Sequence, residues 1–277
     1  MKTEKRYVRR LFLFTAILVM LMSSVVMAKT VDMKYDSAHK MYIGSCKADA
    51  DGNLFFRVKL SQYGLVDVTG LYQSTYGGQY GVSATLVNAK GTVLDYYSSN
   101  YLNSNNGTYV RYAVAPGTYC IKVPARKGYA YAVAASYFLK SGHNGGSKKS
   151  KAVTLKRNKA KTGVISASSF KAQSKYFKFY VPEQSKPVKL KLIVNGGQGQ
   201  MRFYISGPNL KKTRKEKIYP SLNYQRSTEL TMYQTVTRGG RSYKTGPKAG
   251  WYYVMVRKAS SGAYKRSSGQ FAVKWSY

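Results

Sequence analysis

Apolar and polar residues alternate with a period of two through most of this chain, and that period restricts it to β-strands. Leu54-Phe55-Phe56-Arg57-Val58-Lys59-Leu60 carries the pattern, as do Tyr109 to Val114, Tyr129 to Val133, Lys189 to Val194 and Glu229 to Tyr233. Successive side chains of a strand point to opposite faces, so such runs make half-buried antiparallel strands. They are built from Tyr, Val, Phe and Thr, which suit a pleated surface. Gly- and Asn-rich punctuation separates them at Tyr76-Gly77-Gly78, Asn103 to Gly107, Asn195-Gly196-Gly197 and Arg238-Gly239-Gly240. No helical period occurs after the first 28 residues. Many short strands with turns between them predict an all-β chain of sandwich type.

The same order of segments occurs twice. Asn53 to Val58 parallels Lys175 to Val181, and Pro116 to Val123 parallels Ala249 to Val256. A turn and a closing strand follow each, Tyr129 to Phe138 and Gln270 to Tyr277. Between the copies, residues 140–150 read Lys-Ser-Gly-His-Asn-Gly-Gly-Ser-Lys-Lys-Ser, with no apolar residue, and predict a flexible linker. The expected organisation is a first, Tyr-rich domain over 29–139, that linker, and a second domain over 151–277.

Residues 1–28 read as a signal peptide. Lys2, Lys5, Arg6, Arg9 and Arg10 precede an apolar run from Leu11 to Ala28, with small residues Val26 and Ala28 before Lys29. The run of 18 residues also has the length of an uncleaved anchor, the one route by which this chain meets a membrane. The protein is therefore expected to be secreted and associated with the bacterial cell wall.

Charge then limits the function. The chain carries 46 Lys+Arg against 10 Asp+Glu, a formal net charge of +36. Residues 142–277 hold 29 basic and three acidic side chains. So few carboxylates, with two Cys and two His, argue against most acid/base enzymes and against a Cys/His metal cage. No metal, cofactor or catalytic residue is assigned, and the chain is expected not to be an enzyme. A dense positive potential draws polyanions instead. Two basic clusters are candidate contacts: Lys211, Lys212, Arg214, Lys215 and Lys217 in an expected loop after Gly207-Pro208, and Arg238, Arg241, Lys244 and Lys248 in a Gly-rich loop. Lys and Arg on outward strand faces also keep a protein soluble and block edge pairing, which is the structural alternative.

The 27 tyrosines divide into two kinds. Tyr119 and Tyr252 alternate with Ile121 and Val254 and belong to the core. Tyr72, Tyr76, Tyr80, Tyr96, Tyr97 and Tyr101 fall in expected loops and are candidates for stacking on sugar rings. Cys46 and Cys120 are the only thiols; an even pair in an oxidising compartment suggests a disulfide, and against it Cys120 alternates away from the core. Asp49-Ala50-Asp51-Gly52-Asn53 has the start of a calcium loop but lacks its later Glu, and reads as a turn.

Four stretches resemble the bacterial pre-peptidase C-terminal domain. These are the strand Gly250-Trp251-Tyr252-Tyr253-Val254-Met255-Val256, the opening strand Tyr176-Phe177-Lys178-Phe179-Tyr180-Val181, and the preceding Lys151 to Leu155 and Gly163 to Ile165. Gly117 to Val123 repeats the first more loosely in the other half. The resemblance implies two tandem jelly-roll-like antiparallel β-sandwich domains behind the signal helix. Such domains are non-catalytic appendages that bind polysaccharide, collagen or cell surfaces. The expected partner is an anionic cell-wall polymer such as teichoic acid, or an acidic polysaccharide. Extracellular nucleic acid is a further partner that charge allows, and no small-molecule substrate is expected. The alternative is a structural or matrix protein with no specific polyanion ligand.

Overall fold

A computed structural model describes residues 30–97, 100–139, 145–167, 173–208, 210, 214–221, 225–258 and 262–277. The expected signal segment, 1–28, lies outside the described residues, as do Lys211 and Lys212. Strands dominate, and among the described residues the only helical turns are three short 3-10 turns. The chain divides into two compact units between Leu139 and Lys140.

The first unit contains β1 (Thr30–Asp32), β2 (Lys34–Asp36), β3 (Met41–Lys47), β4 (Gly52–Leu60), β5 (Gly64–Gln73), β6 (Gln79–Tyr80), β7 (Val82–Asn88), β8 (Asn100–Leu102), β9 (Val110–Val114), β10 (Gly117–Ala125) and β11 (Ala130–Leu139). One sheet runs β1-β4-β10-β7-β8 and the other β2-β3-β11-β5-β6, with β9 also paired to β5. The two pack face to face in a sandwich-like arrangement. Gly44 of β3 meets Phe56 of β4 so closely that a Cβ there would lie 2.9 Å from the ring. The neighbours of Gly44 along β3 therefore turn the other way. Ile43 and Met41 join Leu71, Ala132 and Ala134 in a second buried cluster on the opposite side of that sheet.

The second unit contains β12 (Val153–Thr154), β13 (Lys161–Ile165), β14 (Ser174–Val181), β15 (Val188–Gln198), β16 (Met201–Ser206), β17 (Arg214–Ile218), β18 (Arg226–Met232), β19 (Gln234–Arg238), β20 (Arg241–Thr245), β21 (Gly250–Lys258) and β22 (Ser268–Ser276). Its sheets run β12-β14-β21-β16-β17 and β13-β22-β15-β18, and β19-β20 forms a separate hairpin. The strand order repeats that of the first unit. A short strand pairs parallel to the first long strand in each, β1 with β4 and β12 with β14. The pairs β4-β10-β7 and β14-β21-β16 correspond, as do β3-β11-β5 and β13-β22-β15. The alternation sends Phe177, Phe179 and Val181 of β14 inward, against Leu190 and Leu192 of β15 and Val273 of β22. Phe179 stacks on Trp275 with ring centroids 5.0 Å apart, which joins the two sheets.

The segment expected to be a flexible linker is in part ordered. Gly146 exchanges two backbone hydrogen bonds of 2.9 Å with Tyr176, and a 3-10 turn at Lys149–Lys151 follows. This part of the chain belongs to the second unit because it completes an edge of β14.

Candidate functional site

The outward face of the five-stranded sheet of the second unit interleaves rings with cations. Phe177 and Phe179 point inward, so Tyr176, Lys178 and Tyr180 of β14 point out. On β21, Tyr252, Val254 and Val256 are inward and Trp251, Tyr253, Met255 and Arg257 outward. On β16, Arg202 and Tyr204 are outward, and register places Lys217 and Lys215 of β17 directly across from them. Lys178 faces Tyr253 and Tyr180 faces Trp251 across β14 and β21.

Side-chain geometry follows from that register. Lys178 Nζ sits 4.9 Å from the Trp251 ring centroid and Lys149 Nζ sits 4.5 Å from that of Tyr253. Arg257 and Lys215 flank Tyr204 at 5.8 and 5.7 Å. Tyr180 meets Trp251 edge to face at 5.5 Å, and Trp251 remains 42% exposed. Strands lie about 4.8 Å apart and same-face residues about 6.8 Å apart along a strand, so the face is a grid of alternating rings and charges. Cations over ring faces are held by the ring quadrupole while their outer sides stay available.

Carboxylates are nearly absent from this grid. Glu216 alternates to the same side of β17 as buried Ile218, and Glu183 lies in the turn after β14. Glu229 is on the other sheet, where it pairs with Lys189 at 3.1 Å. That second sheet also carries outward cations, Lys189, Lys191 and Lys274, but no ring among them. Positive charge therefore covers both faces of the unit, and the aromatic interleaving distinguishes one.

The predicted basic residues are distributed as follows. Lys215 and Lys217 lie in edge strand β17 rather than in a loop, because pairing with β16 extends the sheet. Arg214 begins the same strand. Arg238, Arg241 and Lys244 lie in the β19-β20 hairpin, and Lys248 in the turn before β21. Lys244 sits over the Tyr233 ring at 4.6 Å. The sequence reading does not single out Lys178, Trp251 and Tyr253, which it places in strands and not on a surface, nor Arg202 and Arg257. Their alternation with buried partners was the available signal.

In the first unit Tyr72 and Tyr80 come together. They are cross-strand neighbours in β5 and β6 and stack at 5.3 Å, and Tyr129 stacks on the other side of Tyr72 at 5.6 Å. Tyr131 adds a tilted contact at 5.7 Å. Tyr72, Tyr80 and Tyr101 are strand residues, not loop residues, since they lie in β5, β6 and β8. Tyr76 stands alone in the β5-β6 turn at 95% exposure. Tyr96 and Tyr97 make an edge pair with each other at 4.7 Å. The six candidates are thus not one platform.

The expected disulfide is absent. Cys46 and Cys120 are both free and buried. Cys46 shares the inward side of β3 with Gly44, in one sheet, while Cys120 lies on β10 of the other sheet, across from Arg57. Cys120 alternates with inward Tyr119 and Ile121, so it points out of the core, away from Cys46, and is covered there. Burial pushes the Cys46 thiol up to about 11, with Asp49 adding to it, and raises that of Cys120. Asp51 accepts from the Lys127 N–H at 2.7 Å, a turn role. Among the described residues no group of three His, Cys, Asp or Glu gathers to hold a metal ion.

No family model and no curated protein matches the chain. Among solved structures, a cycloisomaltooligosaccharide glucanotransferase from Paenibacillus aligns at 10% identity and TM-score 0.22, over 84% of this chain and 43% of that one. A cycloalternan-forming enzyme from Listeria monocytogenes aligns at 12% and 0.23, over 88% and 21%. Hazelnut vicilin aligns at 9% and 0.19, over 86% and 75%. The chain spans less than half the length of either bacterial enzyme. Likeness at this level assigns neither a family nor an activity.

Proposed function

We propose that this is an exported, non-catalytic binding protein of the bacterial cell surface. In this reading residues 1–28 are its signal peptide, and the two units are tandem jelly-roll-like domains similar to pre-peptidase C-terminal domains. The second unit holds an anionic polymer, teichoic acid or an acidic polysaccharide, against the outward face of β14, β21, β16 and β17. The observation that carries the reading is the grid of Lys178, Arg202, Lys215, Lys217 and Arg257 around Trp251, Tyr253 and Tyr204. Charges spaced by a few ångströms suit a polymer with an anion on each repeat, and the rings give its apolar surfaces a flat partner. A grid of point charges favours a class of polymer over one fixed pose.

The test is co-sedimentation with purified cell walls, before and after the anionic polymer is stripped from them. Binding should require the polymer and be released by salt, since screening and counterion release weaken it. Replacing Lys178, Arg202, Lys215, Lys217 and Arg257 together by Gln should lower the salt concentration needed for release. Equal binding to stripped walls, or no change in the quintuple variant, would sink the proposal.

A further inference from the structure

A second site is carried by an observation separate from the sheet face. The β19-β20 hairpin pairs with no other strand and folds over the turn that follows β14. The hairpin root is tied down by the Gly246 N–H donating to the Ser185 carbonyl at 3.0 Å, and by Gln234 Nε2 donating to the Gly246 carbonyl at 3.3 Å. Beyond those bonds a cleft of about 650 Å³ opens, within the range of small-ligand sites.

Its walls are chemically mixed. Cross-strand register puts Val236 opposite Tyr243 and Arg238 opposite Arg241, all on one side of the hairpin, and Lys244, which alternates to the other side of β20, also lines the cleft. The Tyr243 ring is 50% exposed. The facing wall is Glu183, Gln184 and Ser185. Glu183 makes no ion pair among the described residues, so carboxylate and guanidinium share the cleft without neutralising each other. The Gln184 amide is buried beside the cleft, and neither its nitrogen nor its oxygen has a hydrogen-bond partner among the described residues. A buried amide without partners destabilises the closed hairpin. Lifting the hairpin would expose the amide to whatever occupies the cleft.

We propose that this cleft binds one or two residues of an acidic sugar chain. The Tyr243 ring is the stacking face for a pyranose. Arg238 takes the acidic substituent, and Glu183, Ser185 and the freed Gln184 amide take hydroxyls. A flat ring beside two cations, one carboxylate and an amide matches a sugar that carries both hydroxyls and an anion. A purely charged site would have no use for the ring or the amide.

The probe is tetragalacturonate, with neutral maltotetraose as its control, titrated calorimetrically into the full chain in high salt that suppresses the sheet face. One-to-one binding of tetragalacturonate with little of maltotetraose is expected. Tyr243→Ala should weaken it at least tenfold, whereas the quintuple Gln variant of the sheet face should leave it unchanged. Gln184→Met should weaken binding and raise the Tm of the free protein, because it removes the orphaned amide. The proposal is overturned if maltotetraose binds equally, if Tyr243→Ala binds as wild type while its circular dichroism is native, or if Gln184→Met lowers Tm. Loss of binding in the sheet-face variant alone would also overturn it, by returning the sugar to that face.

Discussion

The Tyr252 hydroxyl lies 2.9 Å from the carbonyl of Lys248, four residues earlier, and 3.0 Å from that of Pro208. The first unit repeats the bond, with Tyr119 donating to the Ala115 carbonyl at 2.9 Å. Both tyrosines sit at the start of equivalent strands, β21 and β10, and both rings are buried. Each hydroxyl fixes the turn that leads into its own strand, while the ring fills the core. Tyr252→Phe and Tyr119→Phe keep the ring and remove the bond. Each should cost about 1 kcal/mol in urea unfolding, since the Tyr252 proton is shared between two carbonyls and the Tyr119 hydroxyl both donates to the Ala115 carbonyl and accepts from the Ala115 N–H.

A buried carboxylate gives a second test in the first unit. Asp95 Oδ2 accepts from the Tyr112 hydroxyl at 2.6 Å, from Asn100 Nδ2 at 2.7 Å and from the Leu86 N–H at 3.2 Å. This pins residues 92–95 alongside β7, where the Leu94 N–H donates to the Leu86 carbonyl at 2.9 Å. Burial raises the Asp95 carboxyl above its usual range despite those bonds. Tyr112→Phe takes one donor from a buried acceptor and should destabilise by about 1–3 kcal/mol. The loss should shrink in acid, where the protonated carboxyl no longer needs every donor. Thermal melts of both proteins across the acid range measure it.

Both thiols should be inert in the folded protein. Thiolate is the reactive form, and for a thiol near 11 it amounts to about one part in a thousand at pH 8. Iodoacetamide should add nothing to the native chain and two groups to the unfolded chain, as read by intact mass. A two-dalton loss in non-reduced material would instead indicate a bridge, and would contradict the separation of Cys46 and Cys120 on two sheets.

What the sequence disclosed depended on whether local pattern or pairing decided the outcome. The strand runs and the repeat were legible because alternation at Leu54 to Leu60 or Lys189 to Val194 is set by one buried face. Edge strands were not. Lys215 and Lys217 read as a basic loop because an edge strand needs no apolar run, only a neighbour such as β16 to pair with. Tyr80 reads as a loop residue for the same reason, since β6 is two residues long, whereas Tyr72 lies near the end of β5, just before the Tyr76-Gly77-Gly78 turn. The sheet-face grid was hidden differently. Trp251 and Lys178 are far apart in sequence, and only the antiparallel register brings their rows side by side. Cys46 and Cys120 formed a pair by count, but their opposite sheets depend on topology that no count contains.

Lys258 makes stability depend on pH in an unusual direction. It ends β21 on the inward side and is fully buried, and burial pulls its ammonium down to about 8. Between about 8 and its unfolded value near 10.5, the unfolded chain binds more protons than the folded one. Stability therefore rises with pH through that window, and below about 8 the penalty is constant. The Lys258 contribution to the unfolding free energy in urea should rise by roughly 1–2 kcal/mol between pH 8 and about 9.5, offset in part near the top of that range by the buried Cys46 thiol, which loses its proton more readily in the unfolded chain. Lys258→Met should flatten that rise.

The sheet face separates charge from rings, so its two contributions should come apart experimentally. Neutralising Lys178, Lys215 and Lys217 removes counterion release but leaves Trp251 and Tyr253 in place. On an anionic polysaccharide this should flatten the dependence of log affinity on log salt by roughly 2–3. Trp251→Ala and Tyr253→Ala remove the rings and keep the lysines. Each should weaken binding roughly fivefold, about 1 kcal/mol, at every salt concentration, with the slope unchanged. Trp251 packs against Tyr180 and Lys178 on the outer surface and is 42% exposed, so its loss should not disturb the core under it. If ring removal altered only the salt slope, the rings would be acting merely to position lysines. Affinity that ignored both sets would leave the grid without a role in binding.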